Sequence, residues 1–101
     1  MSRVICAGHL NWDVTLRVDA LPDPDGEVAV DSRRCGGGGS AANVANGLAD
    51  LDVDSSLLGS VGDDEHGRTA RAELADNGVD VSHVVTSEEL ETSTKYIVVE
   101  P

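Results

Sequence analysis

Asn11 and Asp13 are the first residues in the chain whose types and spacing suit the binding of a polyhydroxyl ligand. Side chains two apart on an extended segment point the same way. An ionised carboxylate accepts hydrogen bonds, and an amide both donates and accepts, so together they could grip neighbouring sugar hydroxyls. Asn and Asp at the end of a strand are also common turn formers. A second group is the run Gly36 to Gly39, which leads into Ser40, Ala41, Ala42 and Asn43. A glycine-rich turn that opens a helix lets the backbone approach a ligand. It also offers unpaired N–H groups and the positive end of the helix dipole. Gly38, Gly39, Ser40 and Asn43 would stand at that mouth, and an anion or a polyhydroxyl substrate would suit it. The alternative is a flexible linker, which the helical periodicity that follows disfavours. A third group, Gly59-Ser60-Val61-Gly62-Asp63-Asp64-Glu65-His66-Gly67, reads on its own as a strand–turn–helix connection with an Asp cap.

The elements that must position these groups follow from periodicity. Arg3 to Leu10 reads as a buried first strand entering a glycine turn. Val14, Leu16 and Val18 alternate with Thr15 and Arg17, as in a half-exposed strand. Leu21 to Gly26 holds prolines and Asp25-Gly26, so it is a loop. Val28 to Arg34 alternates again, and the two strands would pair as a flap. Gly39 to Asp50 is the first helix, with Ser40 near its N-cap. Ala41, Val44, Ala45 and Leu48 fall on one of its faces. Ser55 to Val61 is a short strand. Asp63 or Asp64 caps a second helix that stops at Asn77-Gly78. Val79 to Val85 and Thr94 to Val99 are strands, with an acidic turn at Glu88, Glu89 and Glu91 between them. This order is an α/β pattern with a parallel sheet. Its few helices cannot cover both faces of such a sheet, so the chain reads as the beginning of a larger domain.

Composition narrows the function. Nineteen acidic against seven basic residues give a net charge of -12. That argues against a nucleic-acid binder, which needs a basic footprint, and against adsorption to an anionic membrane. The acidic set is 12 Asp and 7 Glu, and Lys occurs once against six Arg. An Asp-rich, Lys-poor surface looks halophilic, because salt screens its self-repulsion. An ordinary acidic protein is the alternative. Cys6 and Cys35 are isolated and no His stands at metal-ligand spacing. Reduced thiols, no charged-then-apolar leader and no long apolar run together point to a cytoplasmic protein. Arg33 and Arg34, beside the glycines, could meet an anion or could be charges on an exposed strand. Trp12 lies on the strand face opposite Asn11 and Asp13, so core or lid packing is its first expectation and stacking on a nucleoside base its second.

The ordered set Gly8-x-x-Asn11-x-Asp13, Pro24-x-Gly26, Gly38-Gly39-x-x-x-Asn43-x-Ala45 and Gly59-x-Val61-Gly62-Asp63-Asp64-x-x-Gly67 covers nearly the whole chain. It resembles the N-terminal portion of the PfkB, or ribokinase-like, family of carbohydrate and nucleoside kinases. The resemblance implies a Rossmann-like parallel sheet flanked by helices, with a small β-lid. Core residues would be 1–13 and 36–87, and lid strands 14–35 and 92–101. It implies transfer of the γ-phosphoryl group of ATP, with magnesium, to a sugar hydroxymethyl. Asn11 and Asp13 would bind sugar hydroxyls, and Gly38, Gly39 and Asn43 would complete that wall. Ser40 stands where ribokinases often have Lys. A lid would exclude water, and in several family members its strands build a homodimer. The family's second signature, Asp-Thr-x-Gly-Ala-Gly-Asp, has no match here. The resemblance therefore places the catalytic base outside this chain, assigns no metal ligand within it, and predicts that the 101 residues alone are inactive.

Three other readings stay open. Glu91-Thr92-Ser93-Thr94-Lys95 looks similar to archaeal nucleoside kinases of the same family, so the substrate is a sugar or a nucleoside. Gly36-x-Gly38-x-x-Ala41 also satisfies a dinucleotide-binding pattern, and Asp63 lies about 20 residues on. A non-catalytic module that binds a sugar or a partner chain is the third. A Walker A loop fails, because no Lys follows the glycines.

Overall fold

The computed structural model describes residues 3–101. Its elements are β1 (Val4–Ala7), β2 (Asn11–Arg17), β3 (Ser32–Gly38), α1 (Ser40–Asp50), β4 (Ser55–Gly62), α2 (Glu65–Asp76), β5 (Val84–Ser87) and β6 (Thr94–Val99). They form two sheets, β1-β4-β5 and β3-β2-β6. The first is parallel throughout, and its crossovers carry α1 and α2, as parallel pairing requires. In the second, β3 runs antiparallel to β2 and β6 runs parallel to it. The α/β class and the parallel sheet with helices are as expected. Among the described residues no helix is long and apolar enough to cross a membrane.

Small residues on both helices set the packing. α1 buries Ala41, Ala42 and Ala45, and α2 buries Gly67, Ala70 and Leu74. These face Leu57 of β4 and Val14 of β2 within one cluster of buried side chains. α2 starts at Asp64, whose carboxylate accepts from the Gly67 N–H at 2.7 Å. It ends at Asn77, followed by Gly78 at φ 92°. Part of the parallel sheet stays bare: Ile5, Leu58 and Val85 are exposed, as is Val44 of α1.

Several expectations are corrected. Gly36, Gly37 and Gly38 are not a turn. They are the end of β3, in register with Asp13, Trp12 and Asn11. Only Gly39 turns, at φ 103°, and it is the N-cap of α1; Ser40 is the first helical residue and makes no capping hydrogen bond. The strand expected at Val28 to Arg34 starts instead at Ser32 and runs on to Gly38, while Val28 and Val30 are exposed. The second-sheet strands thus reach inward to Asn11 and Gly38, past the boundaries at 14 and 35 read from the sequence. On α1, Ala42 is buried and Val44 is not. The strand expected at Val79 to Val85 begins at Val84, and Asp80 contributes only an isolated bridge to Ser56.

Candidate functional site

A cavity of about 230 Å³ lies where the parallel strands end. Gly8, His9 and Leu10 follow β1, Ser60 and Val61 come from the end of β4, and Ser87 from the end of β5. The carboxyl ends of parallel strands are where open α/β sheets bind ligands. Asn11 of β2 closes one side of the cavity, with Leu90, Glu91 and Ser93 from the segment that enters β6. Asn11 is buried.

Asp13 shares the Asn11 face of β2, two residues on. Its Oδ1 is buried and has no hydrogen-bond partner. A buried carboxylate oxygen without a donor is costly in the ligand-free protein, and a sugar hydroxyl would satisfy it. Its carboxylate lies directly over Gly38, where an added Cβ would overlap Oδ2. Gly39 is constrained in a second way, because a Cβ there would overlap the carbonyl oxygen of His9. The two glycines thus let β3 and the start of α1 close against β2.

Asn11, Asp13, Gly38 and Gly39 are therefore brought together. Of the six residues singled out from the sequence, only Asn11 lines the cavity at the strand ends, and Ser40 and Asn43 stand apart from the other four. Ser40 lines a separate groove with Ile5 and Val44, and Asn43 is an exposed residue of α1.

One helix seats all three strands of the second sheet. The Asp64 carboxylate accepts from Thr92 N–H at 2.8 Å and from the Thr92 hydroxyl at 2.6 Å, just before β6. The hydroxyl of Thr92 in turn accepts from Gly62 N–H at 2.9 Å. The Thr92 hydroxyl, then the Thr92 and Gly67 N–H groups, hold the Asp64 pKa down to about 2. His66 stacks on Trp12 of β2, with ring centroids 5.3 Å apart and planes 14° from parallel. The Glu73 carboxylate accepts from Gly37 N–H of β3 at 2.7 Å. The motif Gly62-Asp63-Asp64-x-x-Gly67 is thus a tether as well as a cap, since a Cβ at Gly62 or Gly67 would collide with backbone or with Thr92. Sequence reasoning missed Thr92 and His66. Only the Asp cap gave a signal for this cluster.

The dinucleotide reading fails on geometry. Gly36 and Gly38 are ladder residues of an antiparallel strand, and that pattern needs them in the turn between a strand and a helix.

The sequence matches the description pfkB family carbohydrate kinase over residues 1–101. The chain belongs to this family. It is similar to the ATP-dependent ribose-1-phosphate kinase of Halopiger xanaduensis, 56% identical over 100 residues, which are 99% of this chain and 34% of that protein. It is similar to the nucleoside kinase of Methanocaldococcus jannaschii, 34% identical over 97 residues, 96% of this chain and 32% of that one. The crystal structure of the M. jannaschii nucleoside kinase superposes with a TM-score of 0.86 at 33% identity, covering 100% of this chain and 34% of that one. An uncharacterized sugar kinase from Pyrococcus horikoshii in complex with ATP gives 0.80 at 30% identity, covering 97% and 31%. The chain spans about a third of the length of the curated relatives it matches.

Proposed function

We propose that residues 1–101 supply the sugar-binding wall and the covering sheet of an ATP-dependent sugar kinase. The observation that carries this is the Asn11 and Asp13 face of β2: Asn11 lines the cavity at the carboxyl ends of the parallel strands, and two residues on Asp13 Oδ1 is buried and unpartnered. Asn11 and Asp13 hold vicinal hydroxyls. Gly38 and Gly39 keep the wall close. The second sheet, over β2, β3 and β6, keeps water from the reacting hydroxyl. A bond forms from the sugar hydroxymethyl oxygen to the γ-phosphorus, the bond to the ADP oxygen breaks, and the hydroxyl proton leaves. Neither the general base nor a contact to the ATP phosphates is assigned to residues 1–101. Among the described residues no three His, Cys, Asp or Glu converge as a metal site, so none is assigned to magnesium.

A sugar is preferred to a nucleoside on one observation. Trp12, the candidate for stacking on a base, is buried and already stacked on His66. Exposed Tyr96, Ile97 and Val98 of β6 support association of the second sheet with another copy. The test is phosphoryl transfer from ATP by the protein as its gene encodes it, across free pentoses, a pentose phosphate, fructose and nucleosides. Transfer to a sugar, lost in Asp13→Ala, is expected; transfer to none of these substrates would refute the proposal. The 101-residue chain alone is expected to show no transfer above a blank.

A further inference from the structure

Beyond Asp13, the same face of β2 continues through Thr15 to Arg17. Arg34 stands directly opposite Thr15 and Ser32 opposite Arg17, and opposed residues of an antiparallel pair share a face. Thr15, Arg17, Ser32, Arg33 and Arg34 line one cavity of about 310 Å³. Arg17 and Arg34 stand on that face in a chain with only seven basic residues against 19 acidic ones, while Arg33, in register with Leu16, belongs to the opposite face. Among the described residues the ion pairs are Arg3–Asp80 and Arg68–Asp63, so neither Arg17 nor Arg34 is in one. Arg33 Nε donates to Cys35 Sγ at 3.3 Å, on that opposite face.

Cations that share a strand face without ion-pair partners repel one another, and an anion placed between them relieves that. The guanidinium fork matches phosphate oxygens two at a time, and the Thr15 and Ser32 hydroxyls add donors. Thr15 is one pleat from Asp13, about 7 Å along the strand. A sugar held by Asn11 and Asp13 would therefore present a substituent to Thr15 and Arg34.

We propose that Arg17 and Arg34, with Thr15 and Ser32, form a phosphate subsite on the face that carries Asn11 and Asp13, so that the substrate is a sugar already carrying a phosphate monoester. This rests on the sugar-kinase proposal above. It makes the product a sugar bisphosphate, and it disfavours free sugars and nucleosides, which would leave the guanidiniums unpaired.

The test is calorimetric titration of the protein as its gene encodes it with ribose 1-phosphate, ribose, adenosine and inorganic phosphate. ATP is omitted and the ionic strength is fixed, since charge pairing is salt-dependent. Arg17→Gln, Arg34→Gln and Arg34→Lys are compared. Arg17 and Arg34 are exposed, so these changes leave the core alone. Ribose 1-phosphate should bind at least about tenfold tighter than ribose. Each Gln variant should weaken ribose 1-phosphate about 10- to 100-fold, and ribose by less than about twofold. Arg34→Lys should recover part of the loss. Equal weakening of both sugars would overturn the proposal, as would ribose 1-phosphate binding no better than ribose. Inorganic phosphate binding as tightly as the sugar phosphate, with ribose still able to bind alongside it, would make this an independent anion site and also overturn it. Loss of an oligomer by light scattering in the Gln variants, with sugar affinity unchanged, would assign the arginines to a subunit contact instead. Because ATP is absent, arginine-dependent binding without later phosphoryl transfer would sink the kinase proposal and leave the subsite standing. Phosphorylation of ribose with no gain from its phosphate would do the reverse.

Discussion

Gly38→Ala tests the closest contact in the site. A Cβ at this position overlaps Asp13 Oδ2 and comes within 2.6 Å of its Cγ. Gly38 is buried and hydrogen-bonded in register with Asn11, so neither strand can simply move aside. Overpacking of this kind costs about 1–3 kcal/mol. Intrinsic preference acts the other way, because Ala in a strand interior is worth about 0.5–1 kcal/mol over Gly. The two contributions separate in a double-mutant cycle with Asp13→Ala. With Asp13 in place, Gly38→Ala should destabilise. In the Asp13→Ala background the obstacle is gone, and the same change should be neutral or stabilising by up to about 1 kcal/mol. The cycle is read by urea unfolding of the protein as its gene encodes it, with the ligand absent. Asp13→Ala alone should leave the protein at least as stable, since it removes a buried oxygen without a partner. Gly38→Ala should also weaken sugar binding as Asp13→Ala does, because it displaces the same carboxylate. Penalties that simply add across the cycle would show that the collision is not the cause.

Thr92→Val leaves the buried Gly62 N–H without its acceptor, which should cost about 1–3 kcal/mol in urea unfolding, while Thr92→Ser should recover most of it. The Asp64 carboxyl, held down to about 2, lies below the unfolded value of about 3.9. It contributes stability that is complete above the unfolded value and lost as pH falls through about 2. Thr92→Val removes the largest cause of that depression, so its acid-unfolding midpoint should move to higher pH, and an unmoved midpoint would reject the tether. His66→Ala should change the Trp12 emission spectrum and lower stability by about 0.5–1.5 kcal/mol; His66→Phe, which keeps a ring against Trp12, should restore both.

The sequence disclosed most where local chemistry decides the outcome. α2 was legible at both ends because Asp64 caps it and Asn77-Gly78 stops it. β6 was legible to the residue, from Thr94 to Val99, since β-branched and aromatic residues dominate it. β3 was not, because Gly36 to Gly38 have no strand preference of their own and take it from pairing with β2. On α1, a helical period fits both Val44 and Ala42 beside Ala41 and Ala45; close approach to the sheet favours the smaller side chain, so Ala42 faces inward. The spacing of Asn11 and Asp13 put both on one side of an extended segment, and β2 places them on one face. Thr92 carries nothing in its neighbours that announces Asp64, 28 residues away. Such a hydrogen bond exists only once the chain has folded back on itself.

The parallel pairing of β2 with β6 has a consequence for synthesis. Trp12 faces Thr94 and Arg17 faces Val99, so the strand that carries Asn11 and Asp13 leaves the ribosome long before its partner does. Until then it has β3 alone, and an isolated two-stranded hairpin is marginal in water. Closing so long a loop is entropically expensive, and contacts of this separation form late. The face that carries Asn11 and Asp13 should therefore be the last part of this segment to assemble. A nascent chain that ends short of Val99 would present the open edge of β2, a template for unwanted pairing and a natural point of engagement for a chaperone.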